Sequence, residues 1–397
     1  MAVKPRFDGE WVRLDEVACI NPKQPRGLGA TDKVSFLPLA EVNMDGTTNL
    51  GIESVRSEVS KGHPWFVDGD LLLAKITPSF ENGKIALAST AYGEGYTSTE
   101  FHIIRPDDKL VVREFLLAYL RSRNVERYCA ARMKGSAGQK RVPVEVLKRL
   151  QVPAIPLEAQ RGIASQFGSI SRQLNDCKTQ LEMLDDLVKS RFVEMFGDQK
   201  LNNKQLPQKR LREVSLVGSS RRVFKEELVE RGIPFLRGTE VGSYGLGKRV
   251  EPSLFITPTH YESLISRAGK PEIGDLLLPS ICPDGQIWEV DTEEPFYFKD
   301  GRVLWVRPDR GCLNSTFLRY ALKNRFESDF QGLASGTTFA ELKIVILKEM
   351  SITLPPLSLQ QEFASFSASV DKSRFIVQQK IEKLQMLYDS LAQEYFS

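Results

Sequence analysis

The chain has 397 residues, of which 41% are hydrophobic and 26% charged, with a formal net charge of +3. This composition excludes wholesale disorder, and the length exceeds one ordinary core, so two domains are expected. The opening segment lacks the apolar stretch of a secretion signal and no apolar run reaches the roughly 18 residues of a membrane span, while the five scattered cysteines (Cys19, Cys129, Cys177, Cys282, Cys312) read as reduced thiols of a cytoplasmic protein.

Residues 1–155 form the first globular segment. Its runs 70–76, 84–88 and 101–105 are apolar and bounded by Gly, Pro or Asn, which predicts strands, and 113–121 predicts a helix. A donor-rich loop lies at 75–84, a second Gly-rich loop closes the domain at 135–141, and the Gly-rich stretch at 92–99 reads either as a ligand contact or as an ordinary hairpin. Between Arg121 and Arg149 stand nine basic residues (Arg121, Arg123, Arg127, Arg132, Lys134, Lys140, Arg141, Lys148, Arg149) against two acidic ones, Glu126 and Glu145. So local an excess of positive charge suits either phosphates or a solvated helix face.

Residues 156–197 carry a long helix, predicted over 157–196, that has no internal proline and would extend about 60 Å. Ile170, Leu174, Cys177, Leu181, Leu184 and Val188 step alternately by four and three, which is a heptad seam. Gly197 stops this helix, and residues 198–207 form a polar linker. A second globular segment, 208–355, includes a helix-like run at 315–322, and a second long helix follows within 356–397. Its seam is Val370, Val377, Ile381, Leu384, Tyr388, Leu391 and Tyr395, with Arg374 as the gap. A single apolar stripe needs a partner, and the copy in the same chain is the nearest one; the alternative is packing of each helix on its own domain.

The two halves are copies of one unit, each an α+β domain followed by a helix. At an offset of 200, Pro156-Leu157-Glu158-Ala159-Gln160 matches Pro356-Leu357-Ser358-Leu359-Gln360, and Ser190, Glu194 and Phe196 match Ser390, Glu394 and Phe396. In the domains the offset drifts between 199 and 205: Phe36-Leu37 pairs with Phe235-Leu236, Gly69-Asp70-Leu71-Leu72-Leu73 with Gly274-Asp275-Leu276-Leu277-Leu278, and Ile104-Arg105-Pro106 with Val306-Arg307-Pro308.

Catalytic groups are scarce. The three histidines, His63, His102 and His260, have no metal or hydrolase spacing, and His102 reads as a packed residue of an apolar strand. Gly242-Ser243-Tyr244-Gly245-Leu246-Gly247-Lys248 follows a phosphate-loop pattern until Arg249 replaces the magnesium-binding Ser or Thr, so a glycine-rich surface loop is expected there. Asp284, Glu289 and Asp291 lack the spaced lysine of a nuclease set, and no methyltransferase signature occurs. No metal site, cofactor or catalytic residue is predicted in this chain.

Two such domains alternating with two heptad helices resemble the specificity subunits of type I restriction–modification systems. The motifs that carry the resemblance are the Gly-Asp-Leu-Leu-Leu strands, the 75–84 stretch, and the Gly-rich loop that leads through a short segment into Pro-Leu and Gln, at 135–157 and again at 336–357. It covers essentially the whole chain. The resemblance implies a non-catalytic protein with two target recognition domains, each reading one half of a split, asymmetric DNA sequence. Its helices would pair as an antiparallel coiled coil with pseudo-two-fold symmetry and set the spacer between the halves. The implied partners are double-stranded DNA, two modification subunits that use S-adenosylmethionine, and restriction subunits that use ATP and Mg. The rival readings are a coiled-coil interaction scaffold with no DNA role and an enzyme of unrecognised type.

Loop donors with no apolar task are the candidate DNA contacts. In the first domain these are Lys75, Ser79, Asn82, Lys84, Ser136, Gln139, Lys140 and Arg141, with Arg132 and Lys134 as phosphate contacts. In the second they are Arg221, Arg222, Ser280, Asp284, Gln286, Thr337 and Thr338. The second loop has Phe339-Ala340-Glu341 where the first has Gln139-Lys140-Arg141, which tells against a phosphate role for that loop.

Overall fold

The structure is a computed structural model that describes residues 9–136, 138–282, 285–333 and 341–397. It forms two compact units, one made of Met1–Gln180 with Val377–Ser397 and the other of Leu181–Ile376. The unit boundary therefore falls inside both long helices, Leu157–Phe196 and Leu357–Phe396.

The first unit is built on two four-stranded sheets. One is antiparallel throughout, in the order Ala18–Ile20, Phe101–Pro106, Leu71–Ala74, Ile85–Leu87. The other runs Ile52–Val55, Lys33–Leu37, Glu94–Thr97, Trp65–Val67, with a parallel pair at its centre. Leu71–Ala74 shows no polar alternation because both its faces are covered. Leu71 and Leu73 pack with Phe115, Leu116 and Tyr119 of the helix Arg113–Leu120, while Leu72 and Ala74 pack with Leu37, Phe66, Phe101 and Ile103. A short ladder between Trp11–Arg13 and Gln151–Pro153 closes the domain just before its long helix.

The second unit repeats the antiparallel sheet and the closing ladder, while the parallel pair of its other sheet lies at the edge. Ser215–Gly218, Val303–Pro308, Leu276–Pro279 and Trp288–Glu289 form the antiparallel sheet, and Gln208–Arg210 pairs with Ser351–Thr353. Its second sheet orders Leu228–Val229, Phe255–Ile256, Ile233–Leu236 and Tyr297–Phe298, with the helix Pro258–Ala268 packed through Tyr261 and Leu264. The expected glycine-rich loop at 242–248 is largely helical instead, within Gly238–Gly245. Its glycines serve close approach, since a Cβ at Gly245 would come 2.7 Å from the backbone of Gln286.

Each repeated motif has a structural task. The Asp of Gly-Asp-Leu-Leu-Leu is buried and pairs with the Arg of the Arg-Pro strand. Asp70 accepts from Arg105 at 2.7 and 2.6 Å and from the Val67 backbone N–H at 2.9 Å. Asp275 accepts from Arg307, from Trp305 Nε1 at 2.8 Å and from the Glu272 N–H at 3.0 Å. Gly69 and Gly274, both at φ 87°, make the turn that brings these groups together. The Gln that follows Pro-Leu is a clamp. Gln160 donates to the carbonyls of Leu110 and Ile155 and accepts from the Val112 N–H. Gln360 does the same with Cys312, Pro355 and Asn314. All polar atoms of a buried amide are thus satisfied, and each long helix is fixed to its domain at its first turn.

The heptad residues form seams inside each unit. In the first unit Ile170, Cys177 and Leu384 are buried among Leu174, Val377, Ile381, Tyr388 and Leu391. In the second, Leu184, Val188 and Val370 join the main core. There Phe192 meets Phe363 at 5.3 Å and Asp185 meets Arg374 at 2.5 Å, so the helices run antiparallel. Arg374, the gap in the sequence seam, is half-buried and crosses to the facing helix. The helix ends are aromatic plugs: Phe396 packs on Phe115, Tyr119 and Phe167 in the first unit, and Phe196 on Phe317 and Phe363 in the second. No helix among the described residues is long and apolar enough to cross a membrane.

Candidate nucleic-acid interface

In the first unit, the strand Leu71–Ala74 runs straight into the 75–84 loop, and backbone bonds tie that loop to the 134–142 loop. The Val142 N–H donates to Lys75 O at 2.9 Å and the Thr77 N–H to Lys140 O at 3.0 Å. Lys134 and Arg141 exchange backbone bonds of 2.9 and 2.8 Å, closing the second loop upon itself. Two loops far apart in sequence, at 75–84 and 134–142, thus become one donor-bearing surface.

On that surface Asn82, Lys134, Ser136, Gln139 and Lys140 are exposed, and Ser79 is half-buried. Arg132 is exposed as well, with its guanidinium 3.8 Å from the centroid of the Tyr128 ring, an arrangement that orients a cation without removing it from water. Lys75 is half-buried, and burial holds its ammonium below the ordinary range against the pull of Glu100. His102, packed as expected, lies beneath the loop. Its Nε2 sits 2.8 Å from Val142 O and its Nδ1 3.2 Å from Asn21 Nδ2, and burial pushes its pKa down.

Several expected contacts are occupied inside the domain. Lys84 Nζ donates to Leu39 O at 2.9 Å, anchoring one end of its loop. Arg141 makes a bidentate pair with Glu100, at 2.8 Å on each arm, and this hydrogen bonding holds the Glu100 carboxyl below its usual range. The middle of the 92–99 stretch is core, with Tyr96 fully buried and Thr97 Oγ1 donating to Leu37 O, while Tyr92, Gly93 and Thr99 stay exposed. The basic segment 121–149 is dispersed. Arg121 donates to Asp45 O and Met44 O, Arg123 pairs with Asp389 and Lys148 with Glu145, which leaves Arg127, Arg132, Lys134, Lys140 and Arg149 facing solvent.

In the second unit Ser219 and Ser220 donate to Val303 O and Phe298 O, and the Arg221 N–H to Tyr297 Oη, strapping the segment over both sheets. The side chains of Arg221 and Arg222 are left exposed, with Arg222 over the Phe224 ring. Ser280 is buried and donates to Glu341 at 2.8 Å, so it is a framework residue. Gln286 is half-buried against Gly242. Asp284, Thr337 and Thr338 lie outside the described residues. Glu289 and Asp291 do not converge: Glu289 faces Thr316 and Arg319, and Asp291 faces Arg249 and Trp288.

Sequence reasoning missed the buried Asp–Arg pairs, the glutamine clamps and Glu100. For the first two a signal existed, because the same residues recur in both copies. Glu100 had none, since its counterpart in the other copy carries the opposite charge.

A duplicated α+β domain, each copy bearing its own surface loops and tied to a long helix, is the class of protein defined by this fold. The chain belongs to the family of type I restriction modification DNA specificity domains, whose profile matches residues 11–183 and 209–386. It is 37% identical over 164 residues to the EcoAI type I restriction enzyme specificity subunit of Escherichia coli, a match that spans 40% of this chain and 27% of that relative's length. A putative type I restriction enzyme specificity subunit of Haemophilus influenzae is 22% identical over 361 residues, 90% of this chain and 86% of the relative. Two solved chains share the fold. One, from a study of complex assembly in a type I R-M system, has a TM-score of 0.56 at 19% identity, with 98% of each chain covered. The other, an S subunit from M. genitalium, has a TM-score of 0.54 at 13% identity and covers 100% of this chain and 98% of its own.

Proposed function

We propose that this chain is the DNA-specificity subunit of a type I restriction–modification complex and is itself without catalytic activity. Each domain reads one half of a split, asymmetric target through its loop surface, and the two long helices set the unspecified spacer between the halves. The observation that carries this reading is a shared framework with unlike loops. The antiparallel sheets, closing ladders, buried Asp–Arg pairs and glutamine clamps recur in both units, while the solvent-facing donors differ. One framework presenting two different donor sets suits two different half-sites. Two modification subunits using S-adenosylmethionine dock on the chain, and restriction subunits using ATP and Mg join them in the cytoplasm.

The test is a map of methylated adenines in cells that carry this chain with its modification partner. A split motif with two unlike halves and a fixed spacer is expected. A continuous motif, or no methylation dependent on this chain, overturns the reading. Gel shifts of the assembled chain on such a split duplex separate it from a scaffold with no DNA role.

A further inference from the structure

The same backbone frame carries the loop base in both units. In the first, the Lys75 N–H donates to Glu100 O at 2.8 Å and the Val142 N–H to Lys75 O at 2.9 Å. In the second, the Ser280 N–H donates to Arg302 O at 2.9 Å and the Leu342 N–H to Ser280 O at 2.7 Å. Positions 100 and 302 are therefore equivalent, as are 141 and 341. On this frame each unit closes a salt bridge between the same two places with opposite polarity. Glu100 on the strand side binds Arg141 on the loop side, at 2.8 Å. Arg302 on the strand side binds Glu341 on the loop side, at 3.0 Å.

We propose that Glu100–Arg141 and Arg302–Glu341 are positioning clasps. Each fixes the base of the segment that presents the unit's recognition loop, and their reversed polarity makes the turn residue before the strand and the loop residue a matched set. This rests on the DNA-reading role of the loops. The geometry explains why the sign is free within a unit: an ion pair with bidentate or shared hydrogen bonds is equally closed either way round. It also explains why the sign is not free between units. A loop base moved alone from one unit to the other sets Arg141 against Arg302, or Glu341 against Glu100, two like charges at bonding distance. Loops are then exchangeable between such domains only together with the turn residue that faces them, Glu100 or Arg302.

The test uses the full chain in four forms: unchanged, Glu100→Arg, Arg141→Glu, and both reversals together. Hydrogen exchange of the Lys134, Arg141 and Val142 amides reads the loop base directly. Each single reversal is expected to speed these amides about tenfold, with the second unit's amides unchanged, and the double reversal to return them to within about threefold of the unchanged chain. Glu100→Gln, neutral and of the same shape, serves as a milder variant with a smaller acceleration. Unchanged exchange in the single reversals, or no rescue in the double, overturns the clasp. Adenine methylation by the assembled complex is then compared across the same four forms. Methylation lost in the singles and regained in the double supports both proposals. Rescue of exchange with methylation indifferent to every variant leaves the clasp standing and overturns the loop's role in reading DNA.

Discussion

A lysine in a loop contacts phosphate only when its ammonium is free, and the two loop lysines 84 and 140 differ in this respect. Lys84 is spent on Leu39 O, whereas Lys140 faces solvent. Lys140→Ala is expected to weaken binding to a split-target duplex and to reduce the magnitude of the salt slope by about 1, while Lys84→Ala leaves the slope as it was. Anisotropy titrations across a salt series measure both, and an unaltered slope for Lys140→Ala removes it from the interface. Asp70 makes a different kind of contribution. Its carboxylate is buried, satisfies a turn N–H and neutralises Arg105, so Asp70→Ala leaves a donor and a partly buried guanidinium without their acceptor. A loss of about 2–4 kcal/mol in urea unfolding is expected, between the cost of a lost hydrogen bond and that of a broken buried pair. A loss below about 1 kcal/mol would show that water replaces the carboxylate there.

The long helices were the most legible elements, because a heptad period needs no knowledge of distant sequence. The seam residues from Ile170 to Val188 and from Val370 to Tyr395 are buried or half-buried as their spacing requires. Arg374 was legible only as an interruption. What it does depends on Asp185, nearly two hundred residues away, and no local pattern announces such a partner. The same limit hid Glu100, whose use is fixed by Arg141 across a sheet end. The glycines of Gly238–Gly245 misled for a related reason: flexibility was read from composition, while the structure uses their lack of a side chain against Gln286. Arg374 also offers a prediction at this scale. It is half-buried, and its partner Asp185 is more than half exposed and can return to water. Arg374→Leu completes the apolar seam and is expected to leave the unfolding midpoint of this chain unchanged or to raise it, as when ion pairs in apolar surroundings are replaced by packed hydrocarbon. A fall of more than a few degrees would mean that the Arg374–Asp185 pair is worth more than the burial it displaces.

At the scale of the whole molecule, the sequence repeat and the compact units are different divisions of one chain. The repeat is read along the chain, where each domain is followed by its helix. The units are read in space, and each contains the start of one helix and the end of the other. Phe196 and Phe396 mark the consequence. Each is the last residue of its helix, and each fills a socket lined by aromatic residues of the copy to which it does not belong in sequence. Such an arrangement is a reciprocal exchange of terminal segments, the geometry by which swapped dimers are built, here contained within a single polypeptide. A chain ending at Gly197 would hold one plug, Phe196, and one empty socket at Phe115, Tyr119 and Phe167. Sedimentation of residues 1–197 is expected to give a dimer in which two copies trade plugs, and Phe196→Ala is expected to return it to monomer. The duplicated chain is in that sense a heterodimer made covalent, and the covalent link is what lets its two halves differ.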